Sequence, residues 1–192
     1  GRPDVVLLPK SASPAQVAAL DKAVARLEEK LGIPVGNTEL VPNIETARGL
    51  LRTFDIAQAS ARVVACLLAS EDMAADLAAE RAPDGIELQY VRQRFLVDCT
   101  AAGTVAIDAP FTFSDAAGAR SEAIAARRLG FKAKSLVAPS HTAAINEGLT
   151  PSVEQVAQAR ALVAAFEKGR ASGLERVSPL ISSSAAIVAS HG

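Results

Sequence analysis

The feature that most constrains this chain is a regular alternation of short apolar runs with longer segments whose apolar residues recur at helical spacing. The run 4–8 fits a buried strand, and the segment after Ser13 and Pro14 fits an amphipathic helix that Gly32 ends. That helix carries apolar residues at steps of three and four: Val17, Leu20, Val24, Leu27 and Leu31. Strands joined by helical crossovers pair in parallel, so the alternation predicts an α/β fold.

The same alternation continues along the rest of the chain. Further strands are predicted at 38–41, 62–68, 104–107 and 135–137. Further helices are predicted at 45–52, from 71 onward, at 86–102, at 115–129, and from Thr150-Pro151 to the glycines at 169 and 173. The pattern gives about five βα units in a single domain, 1–192, whose residues 170–192 form a Ser/Ala-rich tail or lid.

Length and composition exclude several classes of protein. The 192 residues are fewer than the roughly 250 of a complete eightfold βα barrel, and a hydrophobic content of 49% excludes intrinsic disorder. A formal charge of -1 without a basic stripe argues against a nucleic-acid partner. Apolar runs such as 63–69 are too short to span a membrane, so a soluble cytoplasmic protein is expected.

Cysteine and histidine content limits the chemistry further. The two cysteines, Cys66 and Cys99, are interpreted as reduced core residues, because they lie in apolar patterns without metal-ligand spacing. Two histidines, His141 and His191, are too few for a zinc site of several histidines within one chain. The sequence also lacks the hydrolase elbow, the P-loop and the dinucleotide-binding glycine motif.

In a parallel βα array, functional residues follow the carboxyl ends of the strands. Glu45 and Asp72 occupy equivalent places on consecutive units, so their carboxylates should converge, and such a pair suits Mg²⁺. The alternative is that each residue caps its helix. The other polar residues at this edge are Lys10, Ser70, Glu71, Asp108, Ser140 and His141.

For three of these residues the sequence leaves more than one role or position open. Lys10 either lies on the rim and orients a carboxylate or, if burial kept its amine neutral, forms a Schiff base. Asp108 is a possible rim residue that either positions a ligand or supports a loop. His141 is expected at the surface or at a helix start.

Several segments together resemble the HpcH/HpaI aldolase and citrate lyase β-subunit-like family. The most specific are Val41-Pro-Asn-Ile-Glu-Thr-Ala-Arg-Gly-Leu50 and Ala69-Ser-Glu-Asp-Met-Ala-Ala-Asp-Leu77. Weaker matches lie at Val6-Leu-Leu-Pro-Lys10, Ala106-Ile-Asp108, Leu129-Gly-Phe131, Ile145-Asn146 and Thr150-Pro151-Ser152. The resemblance covers residues 4 to about 168 and implies a (β/α)8 barrel, of which about the last five βα units are present.

The resemblance also implies an activity. It suggests a Mg²⁺-dependent carbon–carbon lyase or aldolase acting on 3-hydroxy acids or their CoA thioesters. Position by position, Glu45 and Asp72 correspond to the metal ligands, and the backbone amides around Ser70 and Glu71 to the turn that receives the keto-acid carboxylate. A five-unit array would expose edge strands and apolar faces, so a homo-oligomer is expected.

Two departures from the family pattern leave a second function open. The family's G-K-x-x-I-H-P stretch is here Ala133-Lys134-Ser-Leu-Val-Ala-Pro139, with Ala138 at the histidine position. Related CoA lyases carry an aspartate near the C-terminus, where this chain has Leu180-Ile-Ser-Ser-Ser184, with Ser182 at that position. The catalytic acid or base is therefore not identified. The alternative function is a non-catalytic relative that binds an acyl-CoA or keto acid, or serves as an assembly subunit.

Overall fold

The protein is described by a computed structural model that covers residues 2–171, with side chains for residues 2–169. The chain divides into two compact units at residue 149. The first unit contains all of the sheet, and the second contains the helix Val153–Ala171. The predictions for Gly173, for Ser182 and for nearly all of the tail from residue 170 fall outside the described residues.

The first unit is built on a five-stranded parallel sheet. Its strands are β1 (Val5–Leu8), β2 (Glu39–Ile44), β3 (Ala65–Leu68), β4 (Val105–Asp108) and β5 (Ala133–Lys134). Each strand pairs in parallel with the next one along the chain, so the order is β1-β2-β3-β4-β5. This confirms the predicted α/β class and its five units. Parallel pairing also brings the carboxyl ends of all five strands to one edge.

Helices connect the strands and follow the last of them. They are α1 (Pro14–Leu31), α2 (Ala47–Leu50), α3 (Thr53–Ala57), α4 (Ser70–Asp76), α5 (Gln89–Ala102), α6 (Ala116–Leu129), α7 (Thr142–Leu149) and, in the second unit, α8 (Val153–Ala171). Among residues 2–171, every helix is too short or too polar to cross a bilayer.

The core lies between the sheet and the helices. Leu40, Ile44, Cys66 and Leu68 alternate along β2 and β3, and all four are fully buried in one cluster with Phe95 of α5. On the opposite face of the sheet, Val5 is 39% exposed, Leu7 51% and Val105 49%. The five strands therefore bury one face against their own helices and leave apolar side chains open on the other.

Both cysteines belong to the core, as the sequence indicates. Cys66 on β3 and Cys99 on α5 are fully buried and free of disulfides. The hydrogen bond with Cys66 and burial together raise the pKa of the Cys99 thiol far above its usual range. The Cys99 thiol is consequently protonated, and both buried cysteines are packing residues of the core.

The boundaries of three strands differ from the prediction by more than one residue, and β3 begins at Ala65 rather than at Arg62. β2 continues through Pro42 to Ile44, because Pro42 closes the pairing with β1 and the pairing with β3 begins at Asn43. The predicted last strand at 135–137 is wrong, since β5 is Ala133–Lys134 and the apolar Leu136 and Val137 are 39% and 61% exposed. Apolar content misled the prediction here, because a buried lysine forms the strand.

Three helices also differ from expectation. The segment predicted as one helix at 45–52 ends at Leu50, and α3 then begins at Thr53. The stripe on α1 packs only in part, since Val17 and Val24 are buried while Leu27 and Leu31 are 56% and 52% exposed. Helix α7 was not predicted. A Cβ at Gly148 on α7 would lie 2.7 Å from the Ala123 Cβ on α6, so this glycine permits a close approach of the two helices.

An ion cluster ties α1 to the amino ends of β2 and β3, and we call Asp21, Glu28, Thr38 and Arg62 the amino-end cluster. Arg62 Nη2 lies 2.5 Å from Glu28 Oε2, and Arg62 Nε lies 2.6 Å from Asp21 Oδ1. Glu28 is 2% exposed and also accepts hydrogen bonds from the amides of Gly36 and Thr38. These contacts, above all the bond from Arg62, lower the pKa of Glu28 to about 2. Every charge in this cluster has a partner.

Candidate metal and substrate site

The turns that follow β1, β2 and β3 contact one another at the carboxyl edge of the sheet. The amide of Ser11 donates to the Asn43 carbonyl over 3.0 Å, and the amide of Ala69 donates to the Ile44 carbonyl over 3.1 Å. The amide of Ala47 donates to Asp76 Oδ2 over 2.8 Å, which links α2 to α4. These hydrogen bonds connect the three turns to one another around Glu45.

Glu45 directly follows β2 and is 6% exposed. Its neighbour Thr46 caps α2, because Thr46 Oγ1 accepts the Gly49 amide at 3.1 Å. The interpretation of Glu45 as the cap of its helix is therefore wrong. Within residues 2–169, no hydrogen bond or ion pair engages its carboxylate. With no partner among the described residues, the Glu45 carboxylate is open to a ligand that supplies positive charge.

Asp72 lies in the first turn of α4, which begins directly after β3. Its side chain is 53% exposed, and its Oδ1 lies 3.7 Å from the Nζ of Lys10. No side chain hydrogen-bonds the amides that begin α4, but Asp72 lies in the first turn, where the helix dipole favours an acid, so that alternative stays open for this residue. Lys10, Glu45 and Asp72 thus follow three adjacent strands, and we call them the carboxyl-edge site.

The side chains of Ser70 and Glu71 are committed to the loop that follows β4. Ser70 is 2% exposed, and its hydroxyl donates to the Pro110 carbonyl over 3.2 Å. Glu71 Oε1 accepts hydrogen bonds from Thr112 Oγ1 at 2.6 Å and from Arg81 Nε at 3.0 Å. These bonds, Thr112 first, lower the pKa of Glu71. Both side chains of this turn are therefore engaged within the protein.

Asp108, fully buried at the end of β4, belongs to a second ion network that we call the Asp108 network. Arg92 makes two hydrogen bonds to its carboxylate, at 2.9 and 2.7 Å, and Lys134 Nζ lies 2.9 Å from Asp108 Oδ2. Lys134 also pairs with Glu122 at 2.6 Å. This arrangement agrees with a supporting role for Asp108 rather than with a role in positioning a ligand. Sequence reasoning missed the roles of Arg92 and Lys134.

The last two candidates differ in exposure. The Lys10 side chain is 73% exposed, so the described residues do not give it the burial that Schiff-base chemistry requires. His141 is 1% exposed, which makes the expected surface position wrong. It does lie at a helix start, in the turn before α7, where its ring centroid is 6.0 Å from that of Phe111 and its Nε2 faces the Ser114 carbonyl.

Across the described residues, no group of three or more histidine, cysteine, aspartate or glutamate side chains is gathered closely enough to hold a metal ion. Glu45 and Asp72 are a pair of oxygen donors rather than a complete cage. A pair of carboxylates is the protein ligand set that Mg²⁺ commonly takes, because the ion keeps waters and substrate oxygens in its other positions. The donor chemistry and the unpartnered Glu45 therefore fit this ion.

The sequence is similar to several known proteins. The family model described as HpcH/HpaI aldolase/citrate lyase matches residues 1–139. Citrate lyase subunit beta of Escherichia coli (strain K12) is 36% identical over 181 residues, covering 93% of this chain and 59% of that protein. The L-malyl-CoA/beta-methylmalyl-CoA lyase of Rhodobacter capsulatus is 32% identical over 190 residues, covering 90% and 59% respectively.

A solved structure shares the fold. The protein CitE from Mycobacterium tuberculosis, in complex with magnesium, acetoacetate and coenzyme A, has a TM-score of 0.73 and 28% identity, covering 97% of this chain and 67% of that one. The chain spans 57% to 60% of the length of the citrate lyase beta subunits it matches. That share agrees with five consecutive units of an eightfold barrel.

Proposed function

This chain belongs to the HpcH/HpaI aldolase/citrate lyase family, and from that premise we propose that it takes part in Mg²⁺-dependent carbon–carbon cleavage or condensation. The substrates proposed are 3-hydroxy acids or their CoA thioesters. The observation that carries the proposal is Glu45, a carboxylate 6% exposed that has no partner among residues 2–169 and stands at the carboxyl edge beside the Asp72 turn.

In this proposal Glu45 and Asp72 hold the metal ion. When bound, Mg²⁺ would supply the positive charge that stabilises negative charge on substrate oxygens. Glu45 is suited to this task because Thr46 takes over the capping of α2, which leaves the glutamate oxygens free. Asp72 is suited to it because its exposed oxygens can exchange a weak lysine contact for a stronger cation.

The backbone amides of Ser70 and Glu71 are the proposed receptor for the keto-acid carboxylate. These amides belong to the first turn of α4, which no side chain caps. Both side chains support the turn from the other side, through Pro110 and Thr112. The turn is thereby held rigid, so that a bound carboxylate keeps its orientation relative to the metal ligands.

Calorimetric titration tests this proposal directly. We expect the full 192-residue chain to bind Mg²⁺, and to bind oxaloacetate only when Mg²⁺ is present. Glu45→Gln and Asp72→Asn should each weaken Mg²⁺ binding by more than about tenfold, because each removes one of two charged ligands. Glu29→Gln, an exposed glutamate on α1, is the matched control. Undiminished Mg²⁺ binding in both site variants would refute the proposal.

A second candidate function rests on Ala138, which stands where the family pattern has a histidine. This residue is half-buried before the turn that leads into α7 and has no group able to transfer a proton. It supports the alternative of a non-catalytic protein that binds a keto acid or acyl-CoA, or serves as an assembly subunit. Turnover of a 3-hydroxyacyl-CoA at an ordinary enzymatic rate of about 1 per second or more would eliminate this candidate. If free CoA competes with the substrate for binding, the substrate is a CoA thioester rather than a free acid.

We also propose that the chain forms a homo-oligomer. The support is the set of apolar side chains open on the sheet: Val5, Leu7 and Val105. Sedimentation velocity over a range of concentrations would measure the state directly, and a concentration-independent monomer would contradict the proposal.

A further inference from the structure

The turn that carries Lys10 is unusual in its backbone. Lys10 has a φ of +50°, in the left-handed region where glycine is favoured and other residues are strained. It follows Pro9 in the turn after β1, at the position where related turns take glycine or asparagine. A lysine in that conformation costs stability that a glycine would not, so the side chain is a candidate for a functional role.

Neighbouring residues force this conformation. Ser11 is fully buried, its hydroxyl donates to the Leu8 carbonyl over 3.0 Å, and its amide donates to the Asn43 carbonyl. The turn also lies against α2, since a Cβ at Gly49 would clash with the Ser11 carbonyl oxygen. The backbone around Lys10 is therefore fixed relative to β2 and to the turn that carries Glu45.

The Lys10 side chain, in contrast, is free to exchange partners. Among residues 2–169 its one ion pair is with Asp72, at 3.7 Å, and 73% of the side chain is exposed. Exposed pairs of this kind are weak, so the ammonium is easily released from the aspartate. A fixed backbone with a weakly held cation at its tip suits a group that changes its counter-ion during binding.

The charges of the site indicate what the second counter-ion is. Glu45, Asp72 and Lys10 together carry one net negative charge, and a divalent cation turns this into one net positive charge. Once a cation occupies Asp72, the ammonium of Lys10 is repelled from it and is free to pair with another anion. A single carboxylate would restore neutrality.

We infer that Lys10 is a counter-ion exchange residue: it neutralises Asp72 when no metal is held, and binds a substrate carboxylate when the metal is bound. This inference rests on the proposed function. It adds a specific role for the strained turn, and it assigns Lys10 to substrate binding rather than to covalent chemistry. Arginine should substitute for lysine here, since only a cation of similar reach is required.

The experiment compares Lys10→Met, Lys10→Arg and Lys10→Gly with the full wild-type chain. Lys10→Met should bind Mg²⁺ alone about two- to fivefold more tightly, because the competing ammonium is gone. The same variant should bind oxaloacetate in the presence of Mg²⁺ about tenfold more weakly. Lys10→Arg should restore oxaloacetate affinity. Lys22→Met, an exposed lysine on α1, should change neither affinity.

Thermal unfolding provides a readout that does not depend on any ligand. Lys10→Gly should raise the melting temperature by about 2 °C, because glycine adopts the positive φ without strain, while losing oxaloacetate affinity as Lys10→Met does. A lower melting temperature would contradict the argument from strain.

The outcomes separate this inference from the proposed function. If the wild type binds Mg²⁺ and oxaloacetate but Lys10→Met alters neither affinity, the exchange role is overturned and the metal site stands. If both affinities fall in parallel in Lys10→Met, Lys10 supports the site without exchanging partners, which also overturns the inference. If the wild type binds no Mg²⁺, the proposed function and the exchange role are both refuted.

Discussion

The two ends of the sheet each hold a glutamate with little exposure, but only the one at the amino end has partners among the described residues. In the amino-end cluster, Glu28 receives two hydrogen bonds from Arg62 and two from backbone amides, so its charge is fully paired. At the carboxyl-edge site, Glu45 is nearly as buried and has no partner among the described residues. One end is arranged for stability, whereas the other keeps an uncompensated charge of the kind that a ligand can satisfy.

The largest expected effect is at the amino end. Arg62→Met should lower the melting temperature by about 10 °C, because it leaves Glu28 buried without its main partner. Differential scanning calorimetry measures the shift, and Arg26→Met, an exposed arginine on α1, is the control. Equal melting temperatures for the two variants would show that the cluster is not a source of stability.

A smaller effect should appear in acid. The folded-state pKa of Glu28 is about 2, below its ordinary value of 4.5, so its contribution to stability is complete above pH 4.5 and is lost as the pH falls toward 2. The difference in melting temperature between the wild type and Glu28→Gln should therefore shrink across that window. A difference that stays constant from pH 6 to pH 2 would contradict the assignment. Glu29→Gln should follow the wild-type curve throughout.

The smallest effect should have the opposite sign. Glu45→Gln should leave the melting temperature unchanged or raise it by about 2 °C, because the amide removes an unpaired buried charge without changing the side chain's shape. The measurement must be made without divalent cations, since a bound ion would stabilise the wild type alone. A clear decrease, of the kind expected for Glu28→Gln, would place Glu45 among the supporting residues.

The elements that set the fold were predictable because their signals are local. Apolar runs separated by helical periodicity identify four of the βα units and place the fifth strand directly after β5, and the capping residues around Ser13 and Gly32 mark the ends of α1. The places of Glu45 and Asp72 at one edge were also predictable, since equivalent positions on consecutive parallel strands meet there. Their role as metal ligands stays a prediction. The structure gives both residues positions consistent with that expectation.

The remaining features depend on contacts between distant segments. Lys134 forms a strand although it is charged, because Asp108 and Glu122, 26 and 12 positions earlier, pair with it in the interior. Nothing near Lys134 in the sequence reveals those partners. The same holds for Ser70 and Glu71, whose side chains contact a loop about 40 positions further along the chain. Strain at Lys10 is likewise visible only in the backbone torsion.

The buried thiols of Cys66 and Cys99 have a practical consequence. They lie on facing elements, β3 and α5, and both are completely shielded from solvent. A thiol reagent can reach them only when α5 separates from the sheet, so the rate of labelling reports local opening of the native chain. The labelling rate of these native cysteines therefore measures whether ligand binding at the carboxyl edge reduces the local opening of α5, without an introduced cysteine.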